Sequence, residues 1–322
     1  MTELTRLVEC VPNVSEGRRP EVVDEIVAAF AGAGPEVLVL DTSSDPDHHR
    51  TVITLMGPGP ALVEAAVAGA RTCARLIDLN HHHGVHPRMG ALDVLPFVPF
   101  GAETRLRGGD DPDLDCADLA ERAGRRIAAE AGVPVYLYGA AARHPGWTAL
   151  PAVRGRGFEA LRSALAAGAP DPPAPDFGGP GLHPTAGAVA AGAREVLVAY
   201  NVELAGADLD LARKIASAVR ERDGGLPAVR AMGVALPGRG LVQVSMNLLD
   251  YRSTPPAAAY AAVAALAEQA GARVEASEIV GLVPAGALDG VDPASLRLRG
   301  LATNLFLESR LLQALSISKE RR

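Results

Sequence analysis

The sequence is poor in cysteine, in lysine and in aromatic residues. Its three cysteines, Cys10, Cys73 and Cys116, are odd in number and far apart. They therefore fit neither a disulfide framework nor a thiolate metal site, and they favour a reducing compartment. Lysine occurs only at Lys214 and Lys319, and the 322 residues carry a formal net charge of -7. Because a nucleic-acid surface needs clustered cations, we expect small-molecule partners and no nucleic acid.

A secretion signal and long apolar runs are also missing. The start, MTELTRLVEC, has no basic region followed by an apolar core, so no signal peptide is predicted. The longest apolar runs, such as ALVEAAVAGA near residue 65, contain acidic residues. They also fall short of the ~20 residues that span a bilayer. We therefore expect a cytoplasmic protein that has no membrane partner.

The first half of the chain alternates strand-like and helix-like segments. Extended runs are predicted at residues 7–14, 36–41, 50–57, 91–100 and 133–139, and helices at 20–30, 61–78 and 114–131. This β-α-β-β-α-β order predicts an α+β fold built on a ferredoxin-like (split βαβ) sheet. Pro96 and Pro99 suit an edge strand or a bulge better than a central strand.

A proline- and glycine-rich segment, GAPDPPAPDFGGPG at residues 168–181, separates this half from a second one. Such a segment cannot be a helix, so it predicts a domain boundary. The same order of strands and helices then repeats. We expect two tandem ferredoxin-like subdomains, residues 1–176 and 177–322, with a ligand cleft between them, because ligands favour domain interfaces.

Histidines are concentrated in DLNHHHGVHPRMGALDV, residues 78–94. Of eight histidines in the chain, four lie here: His81, His82, His83 and His86. Together with DPDHH at residues 45–49 they could form a zinc, nickel or copper site. However, adjacent histidines on a strand point to opposite faces, and the helical HExxH pattern is missing. We therefore expect no metal.

A second interpretation of this stretch is general acid/base catalysis by one histidine. Imidazole has an ordinary pKa of ~6.5 and can both accept and donate a proton near neutrality. His86 follows the permissive Gly84 and precedes Pro87, which fixes the backbone, so it is the best-oriented candidate. The ordinary alternative is an exposed loop histidine, which remains the favoured interpretation for any one of them taken alone.

Two further segments could bind anions. In VPNVSEGRR, residues 11–19, Asn13 and Ser15 precede a predicted helix start, where free N–H groups bind anions. Alternatively, Ser15 caps the helix and Glu16 is solvated. Arg50 and Arg88 could each clamp a carboxylate. A pairing of Arg50 with a nearby aspartate is an equally ordinary explanation.

The glycine-rich segment DFGGPGLHPTAGA, residues 176–188, is the last candidate. Its glycines would let the backbone approach a flat ligand closely. A flexible connector is the alternative, and composition alone slightly favours it.

Taken together, these segments resemble the formiminotransferase domain family, also called glutamate formimidoyltransferase. The motifs LVECVPNVSEG, RTVIT, HPRMGALDVLPFVP, VPVYLYG, PDFG, AGAREVLVAYNVEL, QVSMNLLD and VGLVP occur in register from about Leu7 to Leu288. The resemblance implies transfer of a formimino group from N-formimino-L-glutamate to tetrahydrofolate, which serves as co-substrate. It also implies a homodimer of chains with two ferredoxin-like subdomains each.

The resemblance also assigns roles to residues. His86, before Pro-Arg-Met-Gly, is expected to be the catalytic acid/base, supported by His82, His83 and Arg88. Further residues are expected to bind substrate, namely Asn13, Ser15, Arg50, Asn201 and Asn247. The expected folate loop comprises Gly178, Gly179, Pro180, Gly181, Leu182, His183, Pro184, Thr185, Ala186 and Gly187.

Four positions depart from the usual family pattern. His83 replaces a lysine, Val85 a glutamate and His49 an asparagine, and Ala186 stands where an aromatic residue is common. These changes leave open a divergent folate-dependent formyl- or formimidoyltransferase with another donor or acceptor amine. A folate- or metal-binding protein is the alternative from another class. No cyclodeaminase domain, which follows in bifunctional members, is expected.

Overall fold

The computed structural model describes residues 4–168, 174–299 and 305–320. The chain divides into two compact units, Met1–Arg194 and Glu195–Arg322. Each unit contains a β-sheet with helices packed on it, which confirms the α+β class. In the described part of the chain, no helix combines the length and the apolar character needed to cross a membrane.

The first unit contains seven strands and five helices within its described residues. The strands are β1 (Leu7–Cys10), β2 (Asn13–Val14), β3 (Leu38–Asp45), β4 (Arg50–Pro58), β5 (Leu92–Pro99), β6 (Val135–Gly139) and β7 (Val189–Ala193). The helices are α1 (Pro20–Ala31), α2 (Gly59–Leu76), α3 (Cys116–Ala131), α4 (Leu150–Arg154) and α5 (Gly157–Ala166).

The first sheet has the order β1-β4-β2-β5-β7-β6, and β3 pairs with β4 at one edge. Strand β5 is interior, because it pairs with β1 and β2 on one side and in parallel with β7 on the other. Of the two settings expected for Pro96, an edge strand or a bulge, the edge strand is therefore wrong. Pro96 is tolerated because it faces the interruption between β1 and β2, where its carbonyl accepts the N–H of Val11 at 3.2 Å.

Helices α1 and α2 approach each other closely on one face of this sheet. A Cβ atom at Gly69 of α2 would stand 2.2 Å from the ring of Phe30 in α1, so only glycine allows this ring to pack there. Phe30 is fully buried, together with Ile26 of α1 and Leu62 of α2. This packing supports the strands that carry the site.

The glycine-rich segment expected to separate the domains packs largely on the first unit. The backbone of Phe177 exchanges two hydrogen bonds with Val135, at 3.0 and 3.2 Å, and Asp176 accepts the N–H of Leu137 at 2.7 Å. Strand β7 then inserts between β5 and β6. The compact units therefore divide at 194/195, and the expected boundary at 176/177 falls inside the first unit. Residues 169–173 of this segment lie outside the described residues.

The second unit has one four-stranded antiparallel sheet with the order β11-β8-β10-β9. Its elements are β8 (Val198–Ala205), α6 (Leu209–Val219), β9 (Val229–Leu236), β10 (Leu241–Leu248), α7 (Pro256–Gln269), β11 (Arg273–Val280) and α8 (Leu307–Glu320). Helix α6 begins after Asp208, whose carboxylate accepts the N–H of Leu211 at 2.8 Å, as expected of an N-cap.

Candidate active site

The turn that leads from the histidine stretch into β5 is held by Asp93. One carboxylate oxygen accepts the N–H groups of Met89 and Gly90 at 2.7 and 3.1 Å. The other accepts Nη1 of Arg50 at 2.8 Å and Nη1 of Arg154 at 3.1 Å. Although burial opposes ionisation, the two arginines and the N–H groups keep the pKa of Asp93 below its usual value. Asp93 is thus an ionised anchor whose oxygens are occupied.

His86 is half-buried, and one of its ring nitrogens has a strong partner. Nδ1 lies 2.8 Å from the carbonyl oxygen of Pro87 and 3.3 Å from Nη1 of Arg50. The carbonyl can only accept and the guanidinium can only donate, so the two contacts favour opposite tautomers. The shorter contact, with the carbonyl, assigns the proton to Nδ1. Nε2 then carries the lone pair, and no described residue forms a hydrogen bond with it. His86 can therefore accept a proton at Nε2.

The surroundings of His86 keep its ring neutral. Burial is the main cause, followed by the positive charges of Arg50 and Arg154, and together they hold the pKa of His86 well below its ordinary value. The base form is therefore the resting form near neutral pH.

His82 is more deeply buried, and both of its nitrogens are occupied. Nε2 donates to the carbonyl of His49 at 3.0 Å, and Nδ1 accepts Nε of Arg88 at 2.9 Å. Burial lowers the pKa of His82 to about 4. A histidine held this way has no nitrogen left for a metal or a substrate, so its contacts are structural.

Arg88 fastens the histidine turn to helix α5. Besides bonding to His82, it forms a double ion pair with Glu159, at 3.0 and 2.7 Å, and donates to the carbonyls of Leu79 and His82, each at 3.1 Å. These bonds use most of its donors within the chain. The structure thus places Arg88, predicted as a supporting catalytic residue, in a positioning role.

His49 stands behind His82 in an unusual backbone conformation. Its φ is 52°, in the left-handed region where asparagine and glycine are favoured. The ring stacks on His82, with centroids 4.1 Å apart, and its nitrogens lie 3.1 Å from Glu16 Oε1 and 3.1 Å from the carbonyl of His83. The asparagine expected here from the family pattern would suit this backbone.

The start of α1 does not offer a vacant anion site. Oε1 of Glu16 accepts the N–H groups of Gly17, Arg18 and Arg19 at 3.0, 2.8 and 3.0 Å. The alternative, in which Ser15 caps the helix and Glu16 is solvated, is also wrong, because Glu16 is buried. Ser15 is buried too, and its hydroxyl donates to the carbonyl of Gly90 at 2.7 Å.

Asn13 and Arg50 do lie together beside His86. Oδ1 of Asn13 accepts Nε of Arg50 at 3.0 Å, and Nδ2 donates to the carbonyl of Val11 at 2.9 Å. Asn13 therefore orients the guanidinium of Arg50.

An open pocket of about 340 Å³ lies next to the histidine turn, and the exposed residues His83 and Val85 are part of its wall. The lining residues are His82, His83, Gly84, Val85, His86, Pro87, Arg88 and Gly157. Two of the four departures from the family pattern, His83 and Val85, thus border the space next to His86.

The predicted folate loop adjoins the histidine turn. The carbonyl of Ala186 accepts the N–H of Ala91 at 2.9 Å, and that of Thr185 accepts the N–H of Leu79 at 2.8 Å. Ala186 is buried in the core, so its side chain is turned away from solvent. Gly179, with φ of 90°, has no described atom within 4 Å of where a Cβ would stand. This part of the loop is open to a ligand.

Asn201 and Asn247 lie in the second unit. Asn201 pairs with Ser245, and Asn247 pairs with Ala199, so the two asparagines share one face of the sheet. Asn201 is buried and Asn247 is exposed.

Sequence reasoning missed Asp93, Arg154 and Glu159 as members of the site. Asp93 had a signal, because a single carboxylate inside the apolar run ALDVLPFVPF must be paired when it is buried. Arg154 and Glu159 had none, since their partners are distant in the chain. Among the described residues, no group of three or more histidine, cysteine or acidic side chains could hold a metal ion.

Comparisons with known proteins identify the family of this chain. The model of the formiminotransferase domain, N-terminal subdomain, matches residues 7–194, and that of the formiminotransferase domain matches residues 199–294. The first match ends at the division between the compact units. The chain belongs to the formiminotransferase domain family, which confirms the resemblance.

Named relatives extend over nearly the whole chain. Glutamate formimidoyltransferase of Thermoplasma acidophilum is 42% identical over 96% of this chain and 98% of its own length. The enzyme of the same name from Streptococcus pyogenes is 39% identical, over 88% of this chain and 91% of its own. Formimidoyltransferase-cyclodeaminase of Sus scrofa is 42% identical over 88% of this chain but 51% of its own length.

Proposed function

We propose that this chain is a glutamate formimidoyltransferase. It transfers the formimino group of N-formimino-L-glutamate to tetrahydrofolate and yields 5-formimino-tetrahydrofolate and glutamate. The observation that carries this proposal is the match to relatives of that name, 42% identical over 96% of the chain in one case. The proposal is also supported by His86, because the reaction needs a proton acceptor and Nε2 can serve as one.

His86 serves in both proton transfers. Folate N5 bonds to the amidine carbon and loses a proton, which Nε2 accepts. The bond between that carbon and the glutamate nitrogen then breaks, and Nε2 returns the proton to the departing nitrogen. A positioned acid/base of this kind contributes about 10² to 10⁴ in rate. The bond from Nδ1 to Pro87 keeps the ring in the tautomer that the first transfer needs.

Residues 178–187 are proposed to hold the folate. The support is that Gly179 and Gly181 are open, with no described atom near the position of an added Cβ. The loop is also fixed to the histidine turn by backbone hydrogen bonds, so a ligand on it would lie near His86.

Each unit is proposed to be a ferredoxin-like subdomain. In the second unit, the strand order β11-β8-β10-β9 with α6 and α7 as crossovers supports this assignment. In the first unit, β5, β1, β4 and β3 are neighbours in the corresponding order, and β7 and β6 extend the sheet. The folate cleft between subdomains, the homodimer and the cytoplasmic location stay predictions.

The test is to mix the protein with tetrahydrofolate and N-formimino-L-glutamate and to measure 5-formimino-tetrahydrofolate and glutamate. Equal amounts of both products are expected. Turnover of a different formimino or formyl donor, with none of this pair, would favour the divergent transferase instead. Folate binding without turnover of any donor would favour a binding protein.

A further inference from the structure

The cluster around Asp93 has more positive than negative charge. Two guanidinium groups, those of Arg50 and Arg154, share this one carboxylate, and His86 beside them is neutral. No other acidic side chain in the described ranges pairs with either arginine. The side chains of Arg50 and Arg154 are 8% and 15% exposed, so water screens the surplus charge only in part. A partly desolvated surplus cation calls for an anion.

Both arginines have N–H groups to spare. Arg50 uses Nε for Asn13 and Nη1 for Asp93, and Nη2 makes no hydrogen bond to any residue that the structure describes. Arg154 uses only Nη1, which leaves Nε and Nη2. Nε and Nη2 of one guanidinium form the fork that binds a carboxylate through two parallel hydrogen bonds.

Asp93 fixes these donors in place, and Arg50 lies beside the ring of His86 on its Nδ1 side. Asp93 is fully buried and tied to two backbone N–H groups, so it holds both guanidinium groups in position. Arg50 Nη1 lies 3.3 Å from the ring of His86. Arg154 ends helix α4, and three residues later Gly157 lines the pocket above His86.

We propose that Arg154, together with Arg50, binds one of the two carboxylates of the donor substrate beside His86. That the donor is N-formimino-L-glutamate rests on the proposed function. The bound carboxylate orients the amidine toward Nε2. It also offsets the two positive charges near His86, which makes the ring a stronger base when the donor is present than when the site is empty.

Substitution of Arg154 tests the contact. For Arg154→Gln we expect the KM of the donor to rise about 10- to 100-fold, as for loss of charge-assisted hydrogen bonds. The KM of tetrahydrofolate should stay within about twofold of the wild-type value, because Arg154 is proposed to contact only the donor. Arg154→Lys keeps the positive charge but lacks the two parallel N–H donors, so its KM for the donor should lie between those of the wild type and of Arg154→Gln. Arg71→Gln, which removes an exposed ion pair with Glu130, is the matched control and should behave as the wild type.

Donor analogues separate a direct contact from a structural role. N-formimino-4-aminobutyrate lacks one carboxylate, and N-formimino-2-aminobutyrate lacks the other. With the analogue that lacks the bound carboxylate, Arg154→Gln should cause no further loss relative to the wild type. Equal losses with the full donor and with both analogues, accompanied by a changed KM for tetrahydrofolate, would show that Arg154 only supports Asp93 and would overturn the proposal.

A binding measurement keeps this inference separate from the proposed function. Calorimetric titration of the wild type with glutarate should show binding that weakens at least about tenfold in Arg154→Gln. If the wild type binds glutarate in this way but does not use N-formimino-L-glutamate, the proposed function is wrong and the subsite stands. If it uses the donor, and Arg154→Gln and Arg154→Lys bind glutarate as the wild type does, the subsite is wrong and the function stands.

Discussion

His82 and His86 are four positions apart and occupy opposite kinds of environment. His82 has a partner on each nitrogen, namely the carbonyl of His49 and the guanidinium of Arg88. His86 has a carbonyl partner on Nδ1, whereas Nε2 makes no hydrogen bond to a described residue. Both rings are neutral, because burial lowers the pKa of each.

The difference shows that the number of histidines in a stretch says little about chemistry. What matters is which nitrogens remain after the protein has used the others. Both nitrogens of His82 form hydrogen bonds that hold the turn, whereas Nε2 of His86 can bond to a substrate. Substitution of His82 should therefore act mainly on stability, and substitution of His86 mainly on turnover.

Removal of the His86 ring should have the largest effect, mainly on turnover. His86→Ala is expected to lower kcat by about 10² to 10⁴, because no other group replaces the proton acceptor. The free energy of unfolding should change less than for loss of His82, since the His86 ring is only half-buried and has one nitrogen that makes no hydrogen bond to a described residue. Steady-state kinetics and denaturant unfolding check the two halves of this expectation. Full activity in the variant would remove His86 from the mechanism.

Acid should lower the stability of the fold through His82, and comparison with His82→Gln separates this part from that of His86, whose pKa is lowered as well. Its pKa is about 4 in the folded chain and ~6.5 when unfolded, so only the unfolded state takes up a proton between these values. The stability that neutral His82 provides is therefore complete above pH ~6.5 and falls by up to roughly 3 kcal/mol as the pH drops to about 4. Urea unfolding as a function of pH measures this slope, and His82→Gln should make it shallower. An unchanged slope would contradict the assignment.

Arg88 should matter for stability more than its exposed neighbour Arg162. Arg88→Gln leaves Nδ1 of His82 and two carbonyls without their donor, at a cost of about 1.5 to 3 kcal/mol in unfolding free energy. Arg162 lies over the ring of Phe158, as Arg88 does, but its hydrogen bond goes only to the exposed Asn80. Arg162→Gln should therefore lower the free energy of unfolding by less than about 1 kcal/mol. Equal losses in thermal or denaturant unfolding would contradict the difference.

The smallest effect is expected at His49. Its φ of 52° is costly for most residues but tolerated by asparagine. His49→Asn loses the ring contacts but suits the backbone, whereas His49→Ala loses the contacts and keeps the strain. The asparagine variant should therefore be more stable by about 1 kcal/mol. Chemical denaturation of the two variants side by side gives this number directly, and an alanine variant as stable as the asparagine one would argue against strain at this position.

Local patterns were enough to predict most of the secondary structure. Helix α1 was predicted at residues 20–30 and spans Pro20–Ala31, because its apolar spacing and its first proline are local signals. The interior position of β5 was missed, because the break in β1 and β2 that accommodates Pro96 is visible only once the strands are paired.

The site was predictable only in part for the same reason. The position of His86 between a glycine and a proline was visible in the sequence. The fact that its Nδ1 is occupied and its Nε2 vacant was not, because it depends on where the ring turns. Arg154 and Asp93 are 61 positions apart. Only the packing of α4 against β6 and β7, the latter being the neighbour of β5, brings them together.

Because Arg50 and Arg154 share Asp93, the net positive charge beside His86 depends on one short helix. Arg50 on β4 and Asp93 on β5 form a neutral pair across β2, which lies between these two strands, and a neutral pair attracts an anion only weakly. The positive charge is contributed by the last residue of α4, a helix of five residues. The affinity of the site for anions is therefore set by the docking of this short helix, and any change that shifts α4 without unfolding the sheet turns a cationic site into a neutral one.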